Sequence, residues 1–144
     1  MRRGLLHDDD GVAAVEFALM LPFFVIFVFG SLDAAYLWHQ SHRVEQGLEL
    51  AASYLSKAPD PDAVRAQARS LAVTGALSGG TARVKGWRTS DVRINVRTLS
   101  GDWRGGARVV SLTSEHDYKG FGFLNAVTRQ SLKVRASHEE RIDA

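Results

Sequence analysis

The sequence predicts an α+β fold: a long N-terminal helix that starts in a membrane, a second helix, and a small antiparallel β-sheet. Three observations carry that reading. No residue from Phe17 to Leu32 is charged. Between Ala34 and Leu55, apolar and small residues recur at three- and four-residue steps. After Thr81 the apolar period changes to two, as on a strand with one buried face. At 144 residues with a net charge of +2, the chain has room for one small core beyond the apolar segment.

The N-terminal element comes first. The 16 residues Phe17–Leu32 would span about 24 Å as a helix. Starting at Val12 raises this to about 31 Å, the thickness of a bilayer core. The segment therefore spans comfortably only if Glu16 belongs to it or to its edge. An acid there is costly and marks a functional candidate. The run is longer than a secretory signal core, and "SLDAAYLWHQ" continues as helix with only a poor small-x-small site at Asp33–Ala35. Pro22 lies inside the run. It removes a backbone donor and predicts a helix kink, read either as a point of local unwinding during packing or as a harmless bend. Arg2 and Arg3 precede the run and only Arg43 follows it closely, so the N-terminus is expected on the cytoplasmic side.

Beyond the membrane, Ala34, Leu37, Trp38, Ser41, Val44, Leu48, Ala51, Ala52 and Leu55 predict an inward stripe. His39, His42, Arg43, Glu45, Gln46 and Glu49 fill the opposite side. Gly47 costs about 1 kcal/mol in a helix interior and suggests a bend. Pro59 ends the helix. Asp60 and Pro61 suit the cap and first turn of a second helix, with Val64, Ala68, Leu71 and Ala72 inward and a stop near Gly75–Gly80. Val92, Ile94 and Val96 alternate with Arg93, Asn95 and Arg97. "RVVSLTSEHDY" and "SLKVRASHEERI" read as two further strands, the last with Leu132, Val134 and Ala136 inward. Arg83–Trp87 suggests a short edge strand, "SGDWRGGA" a turn, and "KGFGFLNAVTRQ" a loop with a helical turn.

The sequence offers no catalytic, cofactor-binding or metal residue. It has no cysteine, which removes disulfides and thiol chemistry. His39 and His42 lack a third ligand nearby and read as a solvated helix face. In "SEHDY" (Ser114–Tyr118) neighbouring side chains alternate between strand faces and cannot converge as a triad, so it reads as an exposed strand end. "GALSGG" lacks the phosphate-loop lysine and follows a helix. Basic residues are scattered without interleaved aromatics, which argues against nucleic acid. "GFGF" (Gly120–Phe123) either folds onto the core or forms an apolar patch that touches a neighbouring subunit or outer-membrane machinery.

Gly11, four residues, Glu16 and then Phe17 at the head of an apolar helix resembles the prepilin peptidase site of type IV pilin-like proteins. The longer string "GVAAVEFALMLPFFVIFVFGSLDAAYLWHQSHRVEQGLELAASYLSK" resembles the start of TadE-like proteins, minor pseudopilins of Tad/Flp tight-adherence pilus systems. Gly11, Ala13, Ala14, Val15, Glu16, Phe17, Ala18, Pro22, Gly30 and Asp33 stand in the places of that pattern. The resemblance implies a pilin-like α+β fold and a cut between Gly11 and Val12. Residues 1–11 would be a leader, 12–37 the transmembrane helix, and 38–144 a periplasmic domain whose first helix continues to about residue 57. It implies an inner-membrane, single-pass component of pilus assembly and adhesion that is not an enzyme. Its partners would be the membrane, a prepilin peptidase, other pseudopilins or pilins, and the Tad machinery. Glu16 would pair with the new amine of Val12 on its own or a neighbouring chain, each charge lowering the other's cost in lipid. An uncleaved signal-anchored scaffold and a membrane-anchored periplasmic enzyme or binding protein are the alternatives.

Overall fold

The computed structural model describes residues 9–99 and 107–142, with side chains over 11–97 and 108–142. Residues 1–8, with Arg2 and Arg3, and residues 100–106, where a turn is expected from the sequence, lie outside the described residues. Three helices and three strands follow in the order α1 (Asp9–Ser56), α2 (Arg65–Thr74), β1 (Val92–Leu99), β2 (Ala107–Asp117), α3 (Phe123–Thr128) and β3 (Lys133–Ile142). The arrangement is α+β, as the change of period requires.

The single helix α1 runs unbroken through Pro22 and Gly47. Its first part is bare, and its second part lies against α2, β2 and β3. The strands form one antiparallel sheet in the order β1-β2-β3. Ile94 opposes Leu112, and Ser114 opposes Ala136. The register therefore puts Val92, Ile94, Val110, Leu112 and Val134 on one face, buried against Val44, Leu48, Ala51, Ala52 and Leu55 of α1. The other face is solvated and carries cross-strand ion pairs. Glu115 meets Lys133 at 2.6 Å and Arg135 at 3.0 Å, and Arg97 meets Glu139 at 3.0 Å. An antiparallel sheet with one wet face gives the alternation seen in the sequence.

Several expectations are corrected. Ala34 and Trp38 are exposed, and the buried line instead passes through Asp33, Gln40, Val44 and Gly47. The helix turns 100° per residue, so Asp33, Leu37, Gln40, Val44, Leu48, Ala51 and Leu55 share one face, and Ala34 and Trp38 are displaced from it. Asp60 does cap a turn, its Oδ1 accepting from the Asp62 N–H at 3.0 Å, but regular helix begins only at Arg65. Within α2 it is Val73, not Leu71, that joins Ala68 and Ala72 in the core. Gly75 ends α2 in a left-handed conformation, its N–H bonded to the Leu71 carbonyl at 2.9 Å.

Arg83–Trp87 is not a strand. It is a turn that returns from α2, with the Arg83 N–H on the Val73 carbonyl at 2.8 Å. Its apolar residues Val84 and Trp87 point into the core rather than along a sheet edge. Trp87 packs against the helix at Gly47. A Cβ there would meet the Ala72 carbonyl oxygen and lie 2.7 Å from Trp87 Cη2. Gly47 is thus a point of close approach between α1, α2 and Trp87, where packing leaves no room for a side chain.

Candidate functional site

Gly11, Val12, Glu16 and Phe17 lie on the first turns of α1, all exposed. Val12 and Glu16 are four residues apart and so stack on one helix face. Among the described residues Glu16 makes no ion pair. Above them the helix is apolar on every side: Phe17, Met20, Phe23, Phe24, Phe27 and Phe29 are all more than half exposed. A helix that is hydrophobic all round is built for lipid or for other helices. Gly11–Ser56 contains the stretch, alone among the described residues, that is long and apolar enough to cross a membrane. The chain thus fits a single-pass membrane protein. Pro22 leaves the Ala18 carbonyl without its usual helix donor, yet helix continues on both sides.

One turn above Gly30 the character of α1 changes. Asp33 is fully buried, and burying a carboxylate is expensive unless donors surround it. Three donors do. The Tyr118 hydroxyl reaches Asp33 Oδ1, the Phe121 N–H reaches the same oxygen at 3.2 Å, and the Leu124 N–H reaches Oδ2 at 2.9 Å. The Tyr118 hydroxyl also lies 3.0 Å from the Asp33 carbonyl. The Leu124 N–H belongs to the first turn of α3, where backbone donors have no partner within the helix. Burial, and then the Asp33 carboxylate, push the Tyr118 phenol well above its ordinary range, so it remains a donor at ordinary pH. Two turns further along α1, the Gln40 side-chain amide donates to the Lys119 carbonyl at 3.2 Å.

The segment Tyr118–Thr128 is therefore tied to α1 by polar side chains within its buried line. Aromatic contacts close the joint: Phe123 against Phe29, with ring centroids 6.0 Å apart, and Phe121 against Tyr36 at 5.3 Å. Gly120 makes the turn possible, because a Cβ there would strike the Tyr118 ring and hydroxyl. "GFGF" divides its aromatics accordingly. Phe123 folds back onto the helix, and Phe121 remains 75% exposed.

The reading of "SEHDY" as an exposed strand end is corrected. Its side chains alternate as expected, but Ser114, His116 and Tyr118 are the buried members. Ser114 Oγ accepts from Trp87 Nε1 at 2.8 Å. His116 stacks on Trp87 at 6.1 Å, and burial pushes its imidazole below the ordinary value, against the pull of Asp91 and Asp117. Neither His116 nitrogen has a hydrogen-bond partner among the described residues. Ser114 and His116 both contact Trp87, whereas Tyr118 serves Asp33, and no hydrogen bond joins the three among the described residues. His42 pairs with Glu45 at 3.3 Å on the solvent side of α1. Among the described residues no group of three His, Asp or Glu is placed to hold a metal ion.

Sequence reasoning missed the Asp33–Tyr118 joint. Its signal was present: the steps that lead from Leu55 down to Val44 continue through Gln40 and Leu37 to Asp33. The polar identity of two of those residues hid the continuation.

Comparison with known proteins bears on the helix alone. Residues 11–53 match the family described as TadE-like protein, a span that holds the bare apolar segment, Asp33, Gln40 and most of the buried stripe, and none of the sheet. No curated protein and no solved structure matches the chain.

Proposed function

We propose, for a chain whose residues 11–53 are a TadE-like segment, that it is a minor pseudopilin-like structural component of a Tad/Flp-type pilus assembly system, cut by a prepilin peptidase between Gly11 and Val12. The observation that carries this reading is the coincidence of the family match with a bare, all-apolar helix headed by Gly11 and Glu16. The match itself supports a Tad pilus-associated component. The peptidase, the role in adhesion, and contacts with other pseudopilins are the finer reading.

The helix geometry suits each step. Gly11 is helical in α1, and glycine lowers the cost of unwinding a helix locally. An extended strand across Gly11–Val12 is therefore accessible to a protease, and glycine leaves room where a side chain would clash. The cut leaves an ammonium on Val12. Glu16 then sits one turn above a positive helix end, where a carboxylate is favoured. It pairs with its own amine or with that of a neighbouring helix as apolar faces pack in the membrane. The domain stands outside, in the periplasm, and meets other subunits of the assembly.

The continuity of α1 back through Gly11 to Asp9 favours a second reading, an uncleaved anchor that acts as a membrane scaffold. One measurement separates the two: the N-terminal residue and intact mass of the membrane-extracted protein, with and without a prepilin peptidase. A chain that begins at Val12 only when the peptidase is present supports the pseudopilin reading. A chain that keeps the residues before Val12 in both cases removes it.

A further inference from the structure

The joint between α3 and the membrane helix has a place in the bilayer. If Val12 stands at one boundary of the hydrocarbon layer, a rise of 1.5 Å per residue over about 30 Å puts the opposite boundary near Leu32. Phe123 packs on Phe29 just below that level, and Phe121 on Tyr36 just above it. Tyr36 and the exposed Trp38 are the residue types that collect at such a boundary. The segment Gly120–Thr128 is therefore held beside the span where lipid acyl chains give way to headgroups.

Its outer surface is apolar. Phe121 is 75% exposed and Val127 58%, and on α1 Phe29, which Phe123 contacts, is 53% exposed. The segment adjoins the bare part of the membrane helix through Phe123, which packs on Phe29 and lies against Gly30, and exposed Lys119 and Arg129 flank it in sequence. An apolar surface with basic residues at its ends matches acyl chains below and phosphate groups above. Asp33 fixes its height, because its carboxylate holds Tyr118, Phe121 and Leu124 to one turn of α1.

We propose that Gly120–Thr128 is a second membrane contact, with Phe121 and Val127 seated in the leaflet on the domain's side and held at that depth by Asp33. The occupant is lipid because the patch lies at bilayer height and prolongs a surface that lipid already covers. The domain is then not free to swing on its helix, since it meets the membrane at two points. This rests on the reading of α1 as a membrane span.

The absence of cysteine makes the test direct. Single variants Phe121→Cys, Val127→Cys, Phe24→Cys and Ala66→Cys of the full chain carry a nitroxide label in vesicles of phosphatidylcholine and phosphatidylglycerol. Relaxation by oxygen, which partitions into lipid, is compared with relaxation by a water-soluble nickel chelate. The expected oxygen-to-nickel ratio is severalfold higher at 24, 121 and 127 than at 66, a surface position of α2. A nickel-accessible label at 121 and 127, with 24 still lipid-like, overturns the second contact and leaves the span intact. Labels at 121 and 127 shielded from both reagents overturn it in favour of a protein partner or a second copy of the chain. A water-like label at 24 overturns the span and the second contact together.

Discussion

One helix serves two solvents. Between Val12 and Phe29, α1 shows apolar side chains on every side and buries almost none of them in the chain itself. From Asp33 to Leu55 the same helix buries one narrow line, and that line organises the rest of the domain. The polar residues are distributed in an unexpected way. The apolar half carries a single exposed acid, Glu16, with no pairing among the described residues, whereas the half that faces water buries Asp33 and Gln40. In the proposed reading, the charge at Glu16 is kept for the amine of Val12 on its own or a neighbouring chain. The charge at Asp33 is spent inside the domain, on three donors from a segment 85 to 91 residues away in sequence. The two halves divide the work of folding along a single rod: the lower half makes few contacts with the domain and the upper half packs against its helices and sheet.

That separation is sharpest at Asp33. Replacing it with alanine leaves two backbone N–H groups without an acceptor and the Tyr118 hydroxyl with only the residue-33 carbonyl, a cost of about 2–3 kcal/mol to the domain. Denaturant unfolding in detergent, followed by tryptophan fluorescence, reads the loss. Asp33→Asn keeps one acceptor oxygen and is expected to lose less. A change in Asp33→Ala within experimental error would mean that α3 is held by its aromatic contacts alone.

Gly47→Ala comes next. The added methyl meets the Ala72 carbonyl and Trp87, and overpacking of this kind costs about 1–3 kcal/mol, partly offset by a gain in helix propensity of about 1 kcal/mol. A net loss of up to about 2 kcal/mol is expected in the same assay. A gain in stability would show instead that α2 and Trp87 move aside freely, and that Gly47 serves as a point of flexure.

The smallest effect on stability is expected from Glu16→Ala, because Glu16 touches nothing in the domain. Its unfolding curve should overlay the wild-type curve to within about 0.5 kcal/mol, and membrane insertion should persist, while incorporation into the pilus assembly falls. Normal assembly of Glu16→Ala would end the charge-pairing account. A clear loss of domain stability would erase the division between the two halves of α1.

Much of this architecture was legible in the chain because it depends on local rules. The apolar run, the break at Pro59, the helix stop at Gly75 and the alternation of Val92, Ile94 and Val96 each follow from side-chain periodicity and backbone restriction. The site pattern of Gly11, Glu16 and Phe17 was legible for the same reason: its residues lie within two turns of one helix. The errors arose where neighbours in space are distant in sequence. Arg83–Trp87 resembles a strand until α2 and Gly47 provide a pocket for Trp87. Ser114–Tyr118 resembles an exposed end until Trp87 and Asp33 take up its serine, histidine and tyrosine.

The sequence by itself determined that the chain has a membrane-length apolar helix with an acid at its head, a helical stripe beyond it, and a sheet of three strands with one wet face. Periodicity and hydropathy are properties of consecutive residues, so no fold is needed to read them. Only the tertiary structure decided that Asp33 is a joint to the segment that follows β2. It likewise decided that Gly47 marks a close contact with Ala72 and Trp87, and that Phe123 packs on Phe29 while Phe121 stays largely exposed. Each of those outcomes depends on which distant donor, carbonyl or ring arrives within a few ångströms, and hydrogen bonds and packing are decided at that range.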